Sequence, residues 1–169
     1  MNIDRIERTA QYFHDAHHTG KRFEPAPEEY RPRNLQEAYA AQGRFLELSS
    51  TGSPPIAGYK IAVTSQVIQE LVGISHPCLG MIRSGSVQTS PAILPGSAFQ
   101  NVAIECEIAF TLKSDLDVVR GTQDRASVIT LIESCHPAFE VLDDRHADYS
   151  KIDAFSLIAD NCWCAGVVL

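Results

Sequence analysis

The run Val102-Ala103-Ile104-Glu105-Cys106-Glu107-Ile108-Ala109-Phe110 constrains this chain more than any other stretch. Apolar residues alternate with small or acidic ones, and a period of two reads as a β-strand. Successive side chains of a strand point to opposite faces. Val102, Ile104, Cys106, Ile108 and Phe110 therefore share one side, and Ala103, Glu105, Glu107 and Ala109 share the other. The two carboxylates sit two residues apart, roughly 7 Å along the strand. Like charges at that spacing repel unless a cation lies between them. A hard divalent ion such as Mg²⁺ or Ca²⁺, which takes oxygen ligands, meets that need. A solvated strand face with two surface glutamates produces the same pattern, so the alternation alone leaves both readings open.

Length and charge narrow the rest. A chain of 169 residues suits one domain with a real core, or a small domain with an appendage. The formal net charge of -7 provides no electrostatic footprint for nucleic acid or an anionic membrane. No apolar run approaches the roughly 20 residues of a membrane span. The opening Met1-Asn2-Ile3-Asp4-Arg5 lacks the basic-then-apolar layout of a signal peptide, so a cytoplasmic location is expected. The five cysteines, with Cys162 and Cys164 separated by Trp163 alone, match neither a disulfide framework nor a zinc spacing. They read as reduced, mostly buried thiols.

Two regions follow from the patterning. Residues 1–55 form an N-terminal helical region. Ile3, Ile6, Ala10, Phe13 and His17 recur at helical spacing over 3–18, and Gly20 ends that helix. Asn34 caps a second helix, with Glu37 completing a capping box and Leu35, Ala38, Gln42, Phe45 and Leu46 facing inward. Residues 49–55 break it. Residues 56–169 form a strand-rich domain. Strands are expected at 56–63, 79–82, 86–88, 102–112, 137–143 and 162–169, with a short helix between Ser65 and Gly73. A longer helix starts at Gly121 and Thr122 and spans 124–134, and a helical turn covers 154–158. Short strands with irregular connections predict an α+β fold with a largely antiparallel or mixed, rolled sheet. Val167-Val168-Leu169 reads as mid-strand, which predicts a partial domain with an unpaired apolar strand edge.

Two further constellations carry chemistry. Glu140 stands in the apolar run Ala138-Phe139-Glu140-Val141-Leu142, where an unpaired carboxylate is costly. It either joins Glu105 and Glu107 in a three-carboxylate oxygen site or pairs with Arg145 or another basic group. Lys60, in Gly58-Tyr59-Lys60-Ile61-Ala62-Val63-Thr64-Ser65, either snorkels outward or points into a polar cavity. His14 and His18 sit at i, i+4 on a helix, where a solvated face is the simpler reading. His136 and His146 flank the Glu140 strand and are placed to support it.

These segments, followed by Pro137-Ala138-Phe139-Glu140-Val141-Leu142-Asp143-Asp144-Arg145 and Ile158-Ala159-Asp160-Asn161, occur in an order that resembles the 2-keto-4-pentenoate hydratase / 4-oxalocrotonate decarboxylase family of the fumarylacetoacetate hydrolase superfamily. The resemblance covers roughly 34–169. It implies a mixed β-roll with helices outside, here lacking its C-terminal part, and a Mg²⁺ or Mn²⁺ site. It maps the ligands to Glu105, Glu107 and Glu140, with Asp143 as the fallback third ligand. It assigns Lys60 to catalysis and substrate binding, and Thr64, Ser65 and Asn161 to substrate contact. The implied reaction adds water to a 2-hydroxy-2,4-dienoate, giving a 4-hydroxy-2-oxo acid in aromatic meta-cleavage catabolism. Decarboxylation of a 2-oxo acid, carbon–carbon hydrolysis and a non-catalytic partner role are the alternatives. The implied partners are a small 2-oxo or 2-hydroxydienoic acid and a second subunit, identical or related. The chain departs from the family at Arg83-Ser84-Gly85, where members often carry an acid.

Overall fold

Capping residues set the helix starts in the computed structural model, which describes residues 1–49, 55–114 and 124–169. The Asn2 side chain accepts from Arg5 N and opens α1 (Ile3–His18). The Asn34 side chain accepts from Glu37 N and opens α2 (Leu35–Leu48). The capping box is not reciprocal. Glu37 sends its carboxylate to Asn2 N and Arg33 N, tying the two helix starts together, and pairs with Arg5 at 3.5 Å. Ile3 is 73 % exposed and does not join the inner face. The α1 residues that do are Arg5, Ile6, Thr9, Ala10, Phe13 and Ala16.

After α2 come β1 (Ile56–Ala62), α3 (Gln66–Val72), β2 (Cys78–Arg83), β3 (Val87–Gln88) and β4 (Val102–Leu112). α4 (Arg125–Leu131) runs directly into β5 (Ile132–Asp143), and α5 (Ala154–Ala159) leads through a 3₁₀ turn at Asn161–Trp163 into β6 (Cys164–Val168). Ser65 caps α3, and Gly73 ends it at φ 83, a left-handed position that favours glycine. The helix expected over 124–134 is shorter, because the chain from Ile132 onward pairs with β4. The break expected over 49–55 falls mostly outside the described residues, and the helix start at Gly121 and Thr122 wholly so.

The strands form two sheets. β1 and β2 make an antiparallel pair, and the second sheet has the order β3-β6-β5-β4. The β3–β6 pair is parallel and the others are antiparallel, so this sheet is mixed. The final strand is not an edge, contrary to the expectation for Val167-Val168-Leu169. β6 is flanked by β3 and β5, and Leu169 exchanges backbone hydrogen bonds with Gln88 and Ser90. The edges of this sheet among the described residues are the two-residue β3 and the long β4. Val102, Ile104, Ile108 and Phe110 on the apolar face of β4 are each at least 47 % exposed.

One apolar core joins the N-terminal helices to the end of the chain. Phe13, Phe23, Ala38, Phe45, Leu157, Ile158 and Cys162 are buried together. Burying a side chain the size of Phe or Ile contributes about 1.5–3 kcal/mol. The helices therefore pack mainly on α5 and β2, and they support the turn that follows α5. All five cysteines are free. Cys78 and Cys162 are buried as expected, but Cys106 and Cys135 are exposed, because no described residue covers their face of β4 and β5.

Candidate metal centre

The β4–β5 ladder builds the acidic cluster. Its register places Glu105 opposite Glu140 and Glu107 opposite Ala138. Directly opposed residues of an antiparallel pair share a face, and Glu107 follows two residues on along the same face. Ligand-capable oxygens of Glu105, Glu107 and Glu140 lie within 4.8 Å of one another, the one such group found among the described residues. Glu105 and Glu107 are exposed, whereas Glu140 is 3 % exposed.

Lys60 reaches this cluster from the other sheet. Its Nζ lies 2.8 Å from Glu140 Oε1, with both side chains buried. Its hydrogen bond, however, goes to the Cys162 carbonyl at 2.8 Å. Glu140 Oε1 is left buried with no hydrogen-bond donor among the described residues. Burial pushes the Glu140 carboxyl above its ordinary value, Lys60 pulls it back, and the charges of Glu105 and Glu107 add to the upward push. Burial alone would lower the Lys60 ammonium, but the charge of Glu140 leads the effects that turn the net direction upward. Lys60 thus points inward, not to solvent, and Glu140 pairs with Lys60, not with Arg145.

Gly80 makes the approach of Lys60 possible. It stands opposite Lys60 in the β1–β2 pair. A Cβ at this position would meet Lys60 Cε at 2.8 Å and the Asn161 carbonyl oxygen at 3.0 Å. Glycine is the residue that lets the lysine stem lie across the strand.

The carbonyl that receives Lys60 belongs to an unusual turn. Asn161, Cys162 and Trp163 take φ of 56, 49 and 58, three successive left-handed non-glycine residues. Such a run is strained and persists only when its surroundings determine it. Asn161 is clamped to Met81: its Oδ1 accepts from Met81 N at 2.7 Å and its Nδ2 donates to Met81 O at 2.9 Å. Arg145 Nη2 donates to Asp160 Oδ2 at 2.9 Å in a fully buried pair, and His17 Nε2 lies 2.7 Å from Asp160 Oδ1. Motif reading of the sequence missed the Cys162 carbonyl and the Arg145–Asp160 pair. Backbone groups leave no residue-type signal, and the partners of the pair come from separate loops.

The remaining sequence-predicted residues are placed as follows. Asp143 turns away from the cluster and accepts from Gln100 N and Asn101 N. Ser65 Oγ accepts from Ile68 N as the cap of α3, and Thr64 is exposed beside it. His136 sits opposite Ala109, beyond the cluster, and pairs with Ser134. His146 is exposed. Neither histidine supports Glu140, since the ladder carries His136 away and the turn after β5 carries His146 to the surface. His14 and His18 stack at 6.2 Å on the outer face of α1.

The donor set fits a hard divalent ion. It is all oxygen, it converges, and it contains a buried carboxylate oxygen without a donor. No helix of the described residues is long and apolar enough to cross a membrane.

Known proteins share the framework. No protein-family model matches the chain. It is 34% identical over 137 residues to a 2-hydroxypent-2,4-dienoate hydratase of Pseudomonas putida, covering 80% of this chain and 60% of that protein. It is 28% identical over 161 residues to a 2-keto-4-pentenoate hydratase of Paraburkholderia xenovorans (strain LB400), covering 95% of this chain and 59% of that protein. The chain thus spans about 60% of the length of these relatives. A 4-oxalocrotonate decarboxylase from Pseudomonas putida G7, solved with magnesium and adipate, superposes with a TM-score of 0.85 at 21% identity, over 99% of this chain and 63% of that one. The α+β framework of helices on mixed sheets is that of this enzyme. In motif order and in fold, the chain is thus similar to the 2-keto-4-pentenoate hydratase / 4-oxalocrotonate decarboxylase family: the curated relatives it matches are hydratases of that kind, and it shares the fold of the decarboxylase.

Proposed function

We propose that the protein is a divalent-metal-dependent hydro-lyase that adds water to a 2-hydroxy-2,4-dienoate of the 2-keto-4-pentenoate type. The product is a 4-hydroxy-2-oxo acid, and the setting is aromatic meta-cleavage catabolism. The observation that carries this reading is the convergence of Glu105, Glu107 and Glu140 beside the buried ammonium of Lys60. The names of the relatives, hydratases of small dienoic acids, agree with it.

Glu105, Glu107 and Glu140 would hold Mg²⁺ or Mn²⁺, which supplies Lewis-acid withdrawal of electrons from a chelated 2-oxo acid. Lys60 is the one cationic side chain placed at this cluster among the described residues, so it binds the substrate carboxylate or moves a proton at Nζ. Thr64 and Ser65, at the exposed start of α3 beyond the end of β1, would contact the substrate's far end. Asn161 acts on substrate through the turn that it clamps to Met81. Five free cysteines support a reducing, cytoplasmic setting. The exposed apolar face of β4 supports association with a second subunit, identical or related.

The test is to incubate the purified 169-residue chain with 2-hydroxypenta-2,4-dienoate and Mg²⁺ and follow loss of the dienol absorbance. Formation of the 4-hydroxy-2-oxo acid, abolished in Glu105→Gln, is the expected result. Release of CO₂ from a 2-oxo dicarboxylate in its place would assign the decarboxylase reaction. No turnover of either substrate, with the chain folded and Mg²⁺ bound, overturns the enzymatic reading of this chain.

A further inference from the structure

We infer that Lys60 is the resident counter-ion of the carboxylate cluster, and that a divalent ion entering the cluster displaces its ammonium from Glu140 and presents it to an anionic substrate. The inference rests on the metal reading above and adds to it a coupling between two cations that share one carboxylate.

Three observations carry it. Lys60 Nζ and the proposed ion claim the same group, since Nζ is 2.8 Å from Glu140 Oε1 and Glu140 is also a member of the converging carboxylates. Lys60 meets Glu140 as an ion pair at an angle poor for a hydrogen bond. The hydrogen bond of the ammonium goes to the Cys162 carbonyl, and Glu140 Oε1 has no hydrogen-bond donor. Moving the ammonium away from Glu140 gives up the ion pair, while the Cys162 carbonyl keeps it near the cluster. Finally, Glu105 faces Glu140 directly across the ladder, an arrangement of like charges that a neighbouring cation must offset.

The two cations also repel each other. A divalent charge and an ammonium on one carboxylate cannot both stay at contact distance in a partly buried site without a large electrostatic cost. The divalent ion has two further carboxylates to hold it and Lys60 has none, so Lys60 is the one that moves. The consequence is an order of events. Loading the divalent ion frees a positive charge beside it, which suits an acid that offers a 2-oxo group to the ion and a carboxylate to Lys60.

The experiment titrates Mg²⁺ into the wild-type chain, Lys60→Met and Glu105→Gln by calorimetry. In parallel, wild type is acetylated with N-hydroxysuccinimidyl acetate, with and without Mg²⁺, and labelling of Lys60 is read by mass spectrometry. Lys151, whose side chain is 71% exposed, is the internal reference. The expected result is that Mg²⁺ raises Lys60 labelling severalfold while Lys151 stays constant, and that Lys60→Met binds Mg²⁺ about tenfold more tightly. Mg²⁺ binding that is lost in Glu105→Gln but leaves Lys60 labelling unchanged overturns the exchange and leaves the metal site standing. So does a folded Lys60→Met chain that binds Mg²⁺ no more tightly than wild type. Failure of wild type to bind millimolar Mg²⁺ overturns the metal site and the exchange with it. Should circular dichroism show Lys60→Met unfolded, the wild-type labelling alone decides.

Discussion

Glu105 and Glu140 face each other directly across the β4–β5 ladder, one exposed and one buried. Opposed like charges destabilise a sheet pair, and here the opposition lies in the proposed metal cluster. The energetic penalty and the proposed function therefore reside in the same two side chains. Glu105→Gln should separate them. We expect urea unfolding without added metal to show a gain of about 0.2–1 kcal/mol from relief of the cross-strand repulsion. We expect calorimetry to show Mg²⁺ affinity falling by more than about tenfold, or 1.4 kcal/mol. A variant that loses both stability and affinity would mean that Glu105 has a structural partner not accounted for by this geometry.

The Lys60–Glu140 pair is buried on both sides. Removing one member of such a pair leaves an uncompensated charge, at a cost of about 3–5 kcal/mol. Lys60→Met and Glu140→Leu should each lower stability by an amount of that order. The double variant should recover much of the loss, because neither charge is then stranded. Chemical denaturation of all four chains gives the coupling energy. Simple additivity of the two single losses would show that the residues do not depend on each other.

Arg145 and Asp160 should behave as a second buried pair, one that anchors the Asn161–Trp163 turn. Their side chains are 2 % and 0 % exposed, and their nitrogen and oxygen lie 2.9 Å apart. Arg145→Met is expected to cost about 3–5 kcal/mol. Hydrogen exchange should show the 3₁₀ turn and β6 opening before α1 does. Uniform loss of protection would place the effect in the global fold instead of the turn.

Tyr149 supplies a test at high pH. Partial burial, together with its donation to Asp144 Oδ2 at 3.0 Å, pushes the half-exposed phenol up to about 12. A raised folded value means that the neutral phenol is favoured by the fold. Its contribution to stability is complete below the unfolded value of about 10 and fades as pH rises through 12. Tyr12, Tyr30 and Tyr39 are also raised, so absorbance titration at alkaline pH should show several late phenols with the last near 12, and Tyr149→Phe should remove that last step. A last step that persists in the variant would belong to another tyrosine.

Much of this site was readable before any fold was known, for a definite reason. A period of two at 102–110 is a local property of β-strands, so the sequence alone placed Glu105 and Glu107 on one face. The cost of burying an unpaired acid made Glu140 suspect, and helix caps at Asn34 and Ser65 act within three residues of themselves. The order of motifs then pointed to the family.

What the tertiary structure decided was everything that depends on pairing across the chain. The register of β4 against β5 puts Glu140 opposite Glu105, and nothing local to either strand specifies a register. Lys60 turned inward because Gly80 on the facing strand leaves space for its stem, and Arg145 found Asp160 because α5 returns beside the turn after β5. β6 became an interior strand through its parallel pairing with the two-residue β3, a contact between segments eighty residues apart. Side-chain alternation and capping are encoded by neighbours in sequence, and the amino-acid order determines them directly. Register, ion-pair choice and edge status arise from competition among distant segments for the same backbone groups and charges, and only the folded chain settles that competition.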